Sequence, residues 1–134
     1  MAATYNNLYL DARKRLREAG VEGAQLEARE LVCCAAGKSR EQFYRDMALY
    51  ASDPVEEKLA ELLERRLAGE PVAYLIGEWE FYGLGLDITP DVLIPRMDTE
   101  VLAERAILLA RAAGEGARVL DLCAGSGCVG LAVA

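Results

Sequence analysis

The spacing of apolar positions divides the chain into a helical first half and a more mixed second half. Between residues 5 and 69, apolar side chains recur every three to four positions, which is the period of an amphipathic helix. Four helices are therefore predicted, with their apolar stripes forming the core of a small bundle. Glycines and capping residues set their limits at Tyr5–Ala19, Glu22–Gly37, Ser39–Met47 and Asp53–Gly69.

Two of these helix starts carry specific capping signals. Ser39 is followed three residues later by Gln42, the pattern of a capping box. Asp53-Pro54-Val55-Glu56 places a candidate N-cap, a proline at the first helical position and a carboxylate at the third. We expect helices to begin at both places.

After Pro71 the apolar period changes from helical to alternating. Trp79 and Phe81 alternate with glutamates, and a second alternating run, from Leu84 to Ile88, follows Tyr82-Gly83. This pattern predicts a β-hairpin that turns at Tyr82-Gly83. An extended segment, Val92–Arg96, comes next between prolines.

The last 37 residues are predicted to run helix, strand, glycine loop and helix. Asp98 is a candidate cap for a helix whose expected buried stripe is Leu102, Ala106, Leu109 and Ala113. Val119–Leu122 has the apolar character of the end of a buried strand, and Val129–Ala134 that of the opening of a helix. A strand, a glycine loop and a helix form the first half of a nucleotide-type binding unit.

The glycine loop contains the chain's main candidate chemistry. Gly125-Ser126-Gly127-Cys128-Val129-Gly130 fits the pattern G-x-G-x-x-G, and Asp121 lies four residues before it. A carboxylate there would repel a pyrophosphate, whereas the ammonium and sulfonium of S-adenosylmethionine would be attracted to it. These residues favour S-adenosylmethionine; a dinucleotide site and a plain glycine turn before a core helix remain the alternatives.

Composition narrows the class of protein. With 134 residues, 53% hydrophobic and 28% charged, the chain is globular, and its net charge of −7 argues against direct contact with nucleic acid. The sequence has no apolar run of about 20 residues and no secretory signal, so a cytoplasmic protein without membrane contact is expected. It has four cysteines and no histidine, which predicts reduced cysteines and no metal site.

Four segments, in order and at about the family's spacing, resemble the HemK-type peptide chain release factor glutamine methyltransferases. They are Gly69–Gly77, Phe81–Gly83, Val92–Glu100 and Asp121–Gly127. The block around Ile94-Pro95-Arg96 is the most specific of them. The resemblance implies methyl transfer from S-adenosylmethionine to the glutamine side-chain amide in the Gly-Gly-Gln motif of release factors.

The resemblance also implies a fold and a division into domains. It implies a mainly α N-terminal helical bundle that docks the release factor, a β-hairpin, and the first β-α portion of a truncated Rossmann-like class I methyltransferase domain. The corresponding limits are residues 1–72, 73–95 and 96–134. Other functions left open are an amino methyltransferase acting on nucleic-acid bases and a non-catalytic docking module.

Site residues follow from the same resemblance. The cofactor would be held by Asp121, near its amino group, and by the loop residues Cys123, Ala124, Gly125, Ser126 and Gly127. Arg96 and Thr99 would lie beside the mouth of the active site. The alternative for Arg96 is a surface ion pair with Asp98 or Glu100.

The chain also departs from the family pattern. Met97 replaces a usual proline, and Cys123 and Ala124 stand where a glycine and a hydroxyl residue are common. The acidic residue for the ribose and the Asn-Pro-Pro-Tyr motif for the substrate amide do not occur in residues 1–134, so this polypeptide alone is expected to be inactive.

A single parallel strand also lacks a neighbour to hydrogen-bond with. We therefore expect the tail either to pack irregularly on the helical domain or to pair with a second copy. The sequence does not decide the oligomeric state.

Overall fold

The computed structural model describes residues 2–134 and divides the chain into two compact units, one ending at Ile76 and one running from Gly77 to Ala134. Within the described residues, the first unit contains α1 (Tyr5–Glu18), α2 (Ala24–Ala36), α3 (Arg40–Arg45), α4 (Asp53–Leu67) and α5 (Val72–Ile76). The second contains β1 (Glu78–Phe81), β2 (Leu84–Asp87), α6 (Thr99–Ala113) and α7 (Cys128–Val133). The chain is thus mostly helical with one hairpin, which agrees with the predicted fold class.

The four predicted helices of the first unit are confirmed, and their apolar stripes form its core. The largest fully buried side chains of this unit come from α1 to α4: Leu16, Leu31, Val32, Phe43, Leu62 and Leu63. The short helix α5 was not predicted, because five residues are too few to show a helical period. Its Val72 and Ala73 are buried, and the helix packs against α2 and α4.

The capping box at the start of α3 is confirmed in full. The Gln42 N–H donates to Ser39 Oγ at 3.2 Å, and the Ser39 N–H donates to Gln42 Oε1 at 2.9 Å. The start of α4 lies one residue earlier than predicted, because Ser52 is the N-cap and Asp53 is the first helical residue. Serine and aspartate both favour the cap position, so adjacent candidates could not be separated by type.

The predicted hairpin is also confirmed, with its turn at Tyr82-Gly83. Trp79 pairs with Leu86 and Phe81 with Leu84. Cross-strand partners share a face, so the apolar side chains of both strands lie on the same side of the sheet. Tyr82 and Gly83 have φ values of 49° and 77°, the left-handed conformations that a two-residue type I′ turn needs.

The predicted buried stripe of α6 is wrong. Leu102 and Leu109 are 58% and 61% exposed, whereas Ala103 is fully buried. Its neighbours on that face, Ala106 and Ile107, are half-buried. The helix is apolar on several faces, so the spacing of its apolar residues does not determine which face is buried. In the structure the buried face is the one that contains the small side chain of Ala103. Asp98 occupies the N-cap position as predicted, but its side chain accepts no capping hydrogen bond.

The predicted strand Val119–Leu122 is not formed. These residues have no regular secondary structure, and Val119, Leu120 and Leu122 are 59%, 84% and 78% exposed. A strand needs a neighbour for its backbone N–H and C=O groups, and the hairpin is the one sheet among residues 2–134. The expectation that this segment could not form a sheet by itself therefore agrees with the structure.

Candidate functional site

The predicted cofactor loop is an exposed turn that precedes α7. The Gly127 N–H donates to the Ala124 carbonyl oxygen at 2.9 Å and closes the turn. Cys123, Gly125 and Gly127 have φ values of 60°, 58° and 80°. Glycine adopts these angles freely, whereas a cysteine is strained by them. Cys123 thus occupies a left-handed position at the point where the resembling family commonly has glycine.

Asp121 is tied to the first turn of α7. Its Oδ2 accepts a hydrogen bond from the Gly130 N–H at 3.0 Å, across nine residues of sequence. A Cβ atom at Gly130 would lie 2.8 Å from that same oxygen, so any larger residue there would force the Asp121 carboxylate to move. A role for Gly130 was not predicted from the sequence. The available signal was the third glycine of G-x-G-x-x-G, a position associated with close packing of the helix.

The loop backbone is open where a ligand would have to approach. A Cβ at Gly125 would meet no heavy atom within 4 Å, and Cys123, Ala124 and Gly125 are exposed. Ser126 is half-buried, and residues 121–127 include no lysine or arginine. A carboxylate beside an open glycine backbone fits the cationic amino group and the ribose hydroxyls of S-adenosylmethionine. The loop has no cationic side chain that could bind a pyrophosphate.

A small core holds α7 beside the hairpin and α6. Phe81, Ala103 and Cys128 are buried together, and Val129 and Ala132 of α7 pack on them. The second half of the predicted loop–helix unit is therefore anchored, although the strand before the loop is not formed. None of the four cysteines, all of which lie within residues 2–134, forms a disulfide bond; Cys33 and Cys128 are buried, and burial raises the pKa of the Cys33 thiol.

Arg96 and Thr99 lie at the start of α6. The Thr99 N–H donates to the Arg96 carbonyl oxygen at 3.0 Å, and the Arg96 side chain is exposed. Among residues 2–134, Arg96 forms no ion pair with Asp98 or Glu100. Glu100 instead accepts a hydrogen bond from the Tyr82 N–H at 2.8 Å. Within this described part of the chain, no recorded hydrogen bond joins Arg96 or Thr99 to the loop at 121–127.

None of the helices described between residues 2 and 134 has both the length and the apolar character needed to cross a membrane.

Comparisons with known proteins agree with the resemblance seen in the sequence. Residues 7–77 match the family described as the PrmC N-terminal domain, which is more than half of the chain. Release factor glutamine methyltransferase of Vibrio cholerae is 38% identical over 134 residues, covering 100% of this chain and 46% of that protein. The protein of that name from Haemophilus influenzae is 42% identical over 117 residues, covering 84% of this chain and 40% of the relative. That from Bordetella pertussis is 47% identical over 116 residues, with 82% and 40% covered. The chain thus spans less than half the length of these curated relatives.

Proposed function

Because this chain belongs to the PrmC N-terminal domain family, we propose that it acts as part of a release factor glutamine methyltransferase. The reaction would transfer the methyl group of S-adenosylmethionine to the side-chain amide nitrogen of the glutamine in a Gly-Gly-Gln motif. The observation that carries the proposal is the Asp121 carboxylate held beside an exposed glycine loop, at 3.0 Å from the Gly130 N–H. The match to the Vibrio cholerae relative extends through this loop, since it covers the whole chain.

The chemistry requires positioning more than it requires a strong base. An amide nitrogen is a poor nucleophile, because its lone pair is delocalised into the carbonyl group. Holding the nitrogen in line with a donor methyl group, with acceptors for the charge that develops, supplies most of the acceleration. In this scheme S-adenosylmethionine supplies the activated methyl group when bound.

The loop residues of this chain would contact different portions of S-adenosylmethionine. Asp121 would face the cofactor's amino group, and Cys123 to Gly127 would lie along its methionine and ribose. Arg96 and Thr99 would border the entrance for the substrate glutamine. The polypeptide of residues 1–134 would show no turnover by itself, because it contains no Asn-Pro-Pro-Tyr motif to hold the substrate amide.

A chimeric enzyme tests the catalytic part of this proposal. Residues 1–134 would replace the matching region of the Vibrio cholerae relative, and methyl transfer to an intact release factor would be measured. We expect activity within about tenfold of the parent, because loop and docking residues would be functionally equivalent. A folded chimera without methyl transfer would contradict the proposal, and so would transfer by residues 1–134 alone.

A ligand titration of the same chimera tests the choice of cofactor. We expect S-adenosylmethionine to bind and NAD not to, because the Asp121 carboxylate repels a pyrophosphate. Asp121→Asn keeps an oxygen that can accept from the Gly130 N–H but removes the charge, so it should weaken S-adenosylmethionine binding without unfolding α7. Binding of NAD in preference to S-adenosylmethionine would contradict the cofactor assignment.

A further inference from the structure

Gly130 is the third residue of α7, and its backbone conformation does not require glycine. Nine of the 12 glycines of the chain have a positive φ, and Gly130 is not one of them. The residue is helical, and alanine is a much stronger helix former than glycine. Neither the course of the chain nor the stability of α7 therefore explains a glycine at this position.

The close approach of Asp121 does explain it. A Cβ atom at Gly130 would lie 2.8 Å from Asp121 Oδ2, and its next two neighbours would be the Cβ and Cγ atoms of the same aspartate, at 3.5 and 3.6 Å. All 12 glycines lie within the described residues, and at the other 11 a Cβ atom would meet no heavy atom closer than 3.9 Å. The space at Gly130 is thus occupied by one particular carboxylate.

The backbone of Gly130 also holds that carboxylate in place. Its N–H lies in the first turn of α7, where no carbonyl of the helix can accept it, and the N-cap Gly127 has no side chain to do so. Asp121 Oδ2 accepts this N–H at 3.0 Å. Within the described part of the chain, the hydrogen bond recorded for Asp121 uses Oδ2, and the residue is half-buried. Its Oδ1 is therefore available to a second donor.

We propose that Gly130 is a positioning residue for S-adenosylmethionine, which acts through Asp121; this role rests on the proposed function. The N–H of Gly130 fixes Oδ2, and the missing side chain lets the carboxylate come close enough to be fixed. The other oxygen then receives the cationic amino group of the cofactor. Because the Asp121 side chain is already ordered, binding does not have to offset the loss of its torsional freedom. Gly130 itself needs no contact with the cofactor.

A double-mutant cycle in the chimeric enzyme, titrated with S-adenosylmethionine, tests this role. Gly130→Ala and Asp121→Ala should each raise the Kd by about tenfold or more, as loss of a hydrogen bond to a charged group does. The double variant should bind within about twofold of Asp121→Ala, because alanine at position 121 has no Oδ2 or Cγ and leaves an ordinary contact at 3.5 Å. If Gly130 acted independently of Asp121, the two losses would multiply to roughly a hundredfold.

Gly85→Ala is the matched control. It adds the same methyl group in β2 of the same unit, at a residue without a positive φ and with no heavy atom within 4 Å of the new Cβ. Its Kd should stay within about twofold of the parent. Steady-state kinetics add a second readout. Gly130→Ala should raise the KM for S-adenosylmethionine and leave kcat within about twofold, because the amino group of the cofactor takes no part in methyl transfer.

The outcomes separate the positioning role from the proposed function. If the parent chimera binds S-adenosylmethionine and Gly130→Ala binds it equally well, or if the two losses multiply, the positioning role is wrong and the proposed function stands. If the parent chimera does not bind S-adenosylmethionine, both are wrong. Circular dichroism checks that Gly130→Ala is folded. If it is not, recovery of the fold in the double variant supports the coupling to Asp121, and failure to recover overturns it.

Discussion

The two units of this chain differ in how many of their apolar side chains are buried. Of the 19 buried hydrophobic residues among those described, 15 lie at or before Ile76 and four in the second unit. Of the 18 large hydrophobic residues that are exposed, six lie in the first unit and 12 in the second. A helix satisfies its own backbone hydrogen bonds and needs only one covered face, whereas a strand needs neighbours. The helical unit therefore buries most of its apolar side chains within itself, whereas Val119, Leu120, Leu122 and Leu131, after α6, stay exposed.

The largest expected difference is in amide hydrogen exchange. Amides of Leu31 and Leu62, inside buried helices, should be protected by a factor on the order of 10³ or more, since they open only with the whole unit. Amides of Leu120 and Leu122, exposed and outside any helix or strand, should exchange at close to the rate of an unfolded chain. Equal protection of the two sets would contradict the comparison between the units.

A matched pair of leucine substitutions tests the same contrast in stability. Leu62 is 1% exposed and Leu120 is 84% exposed. Leu62→Ala should lower the free energy of unfolding by about 2–5 kcal/mol, because it leaves a cavity in the bundle. Leu120→Ala should change it by less than about 0.5 kcal/mol, as surface substitutions do. Urea denaturation followed by circular dichroism measures both, and similar losses would show that Leu120 is buried in solution.

The acid sensitivity of the first unit should depend on Asp46. This carboxylate is 7% exposed and contacts Arg45 Nε at 2.9 Å and Lys38 Nζ at 2.8 Å. Hydrogen bonds from Arg45 and Lys38 hold the pKa of Asp46 well below its ordinary value. A lowered pKa in the folded state means that ionised Asp46 stabilises the fold above about pH 4, and that this contribution is lost as the pH falls towards the folded pKa.

Asp46→Asn isolates that contribution. At pH 7 the free energy of unfolding of Asp46→Asn should be lower than that of the parent. At about pH 2.5 the difference between the two free energies should be smaller. Glu41→Gln removes an exposed carboxylate from the same helix and serves as the control. A gap that stays constant with pH would show that Asp46 acts through its shape and not through its charge.

The smallest expected effect is at Cys123, where φ is 60°. Cys123→Gly should relieve backbone strain and so stabilise the second unit. The net gain should not exceed about 1 kcal/mol, because the greater freedom of glycine in the unfolded chain opposes it. Ala124 has no positive φ, so Ala124→Gly should instead destabilise by about 0.4–1 kcal/mol. Exchange protection of the Leu131 amide, whose N–H donates to the carbonyl oxygen of Gly127 at the N-cap of α7, reports both changes. A loss of protection in Cys123→Gly would contradict the assignment of strain.

The sequence by itself determined the features that depend on neighbouring residues. The Ser39–Gln42 capping box, the helical stripes of the bundle and the turn at Tyr82-Gly83 are all formed as predicted. Each depends on backbone geometry within a few residues, so local sequence contains the information. The glycine loop and its carboxylate were also chosen from residue type and spacing alone, and their part in cofactor binding stays a prediction.

Tertiary structure decided what depends on a distant partner. Several faces of α6 are apolar, and only packing chose Ala103 for the interior and left Leu102 at the surface. Val119–Leu122 has the composition of a strand but no neighbouring strand, so its backbone stays irregular. The contact between Asp121 and Gly130 also appeared only in the fold, because it joins residues nine positions apart through the close approach that a glycine permits.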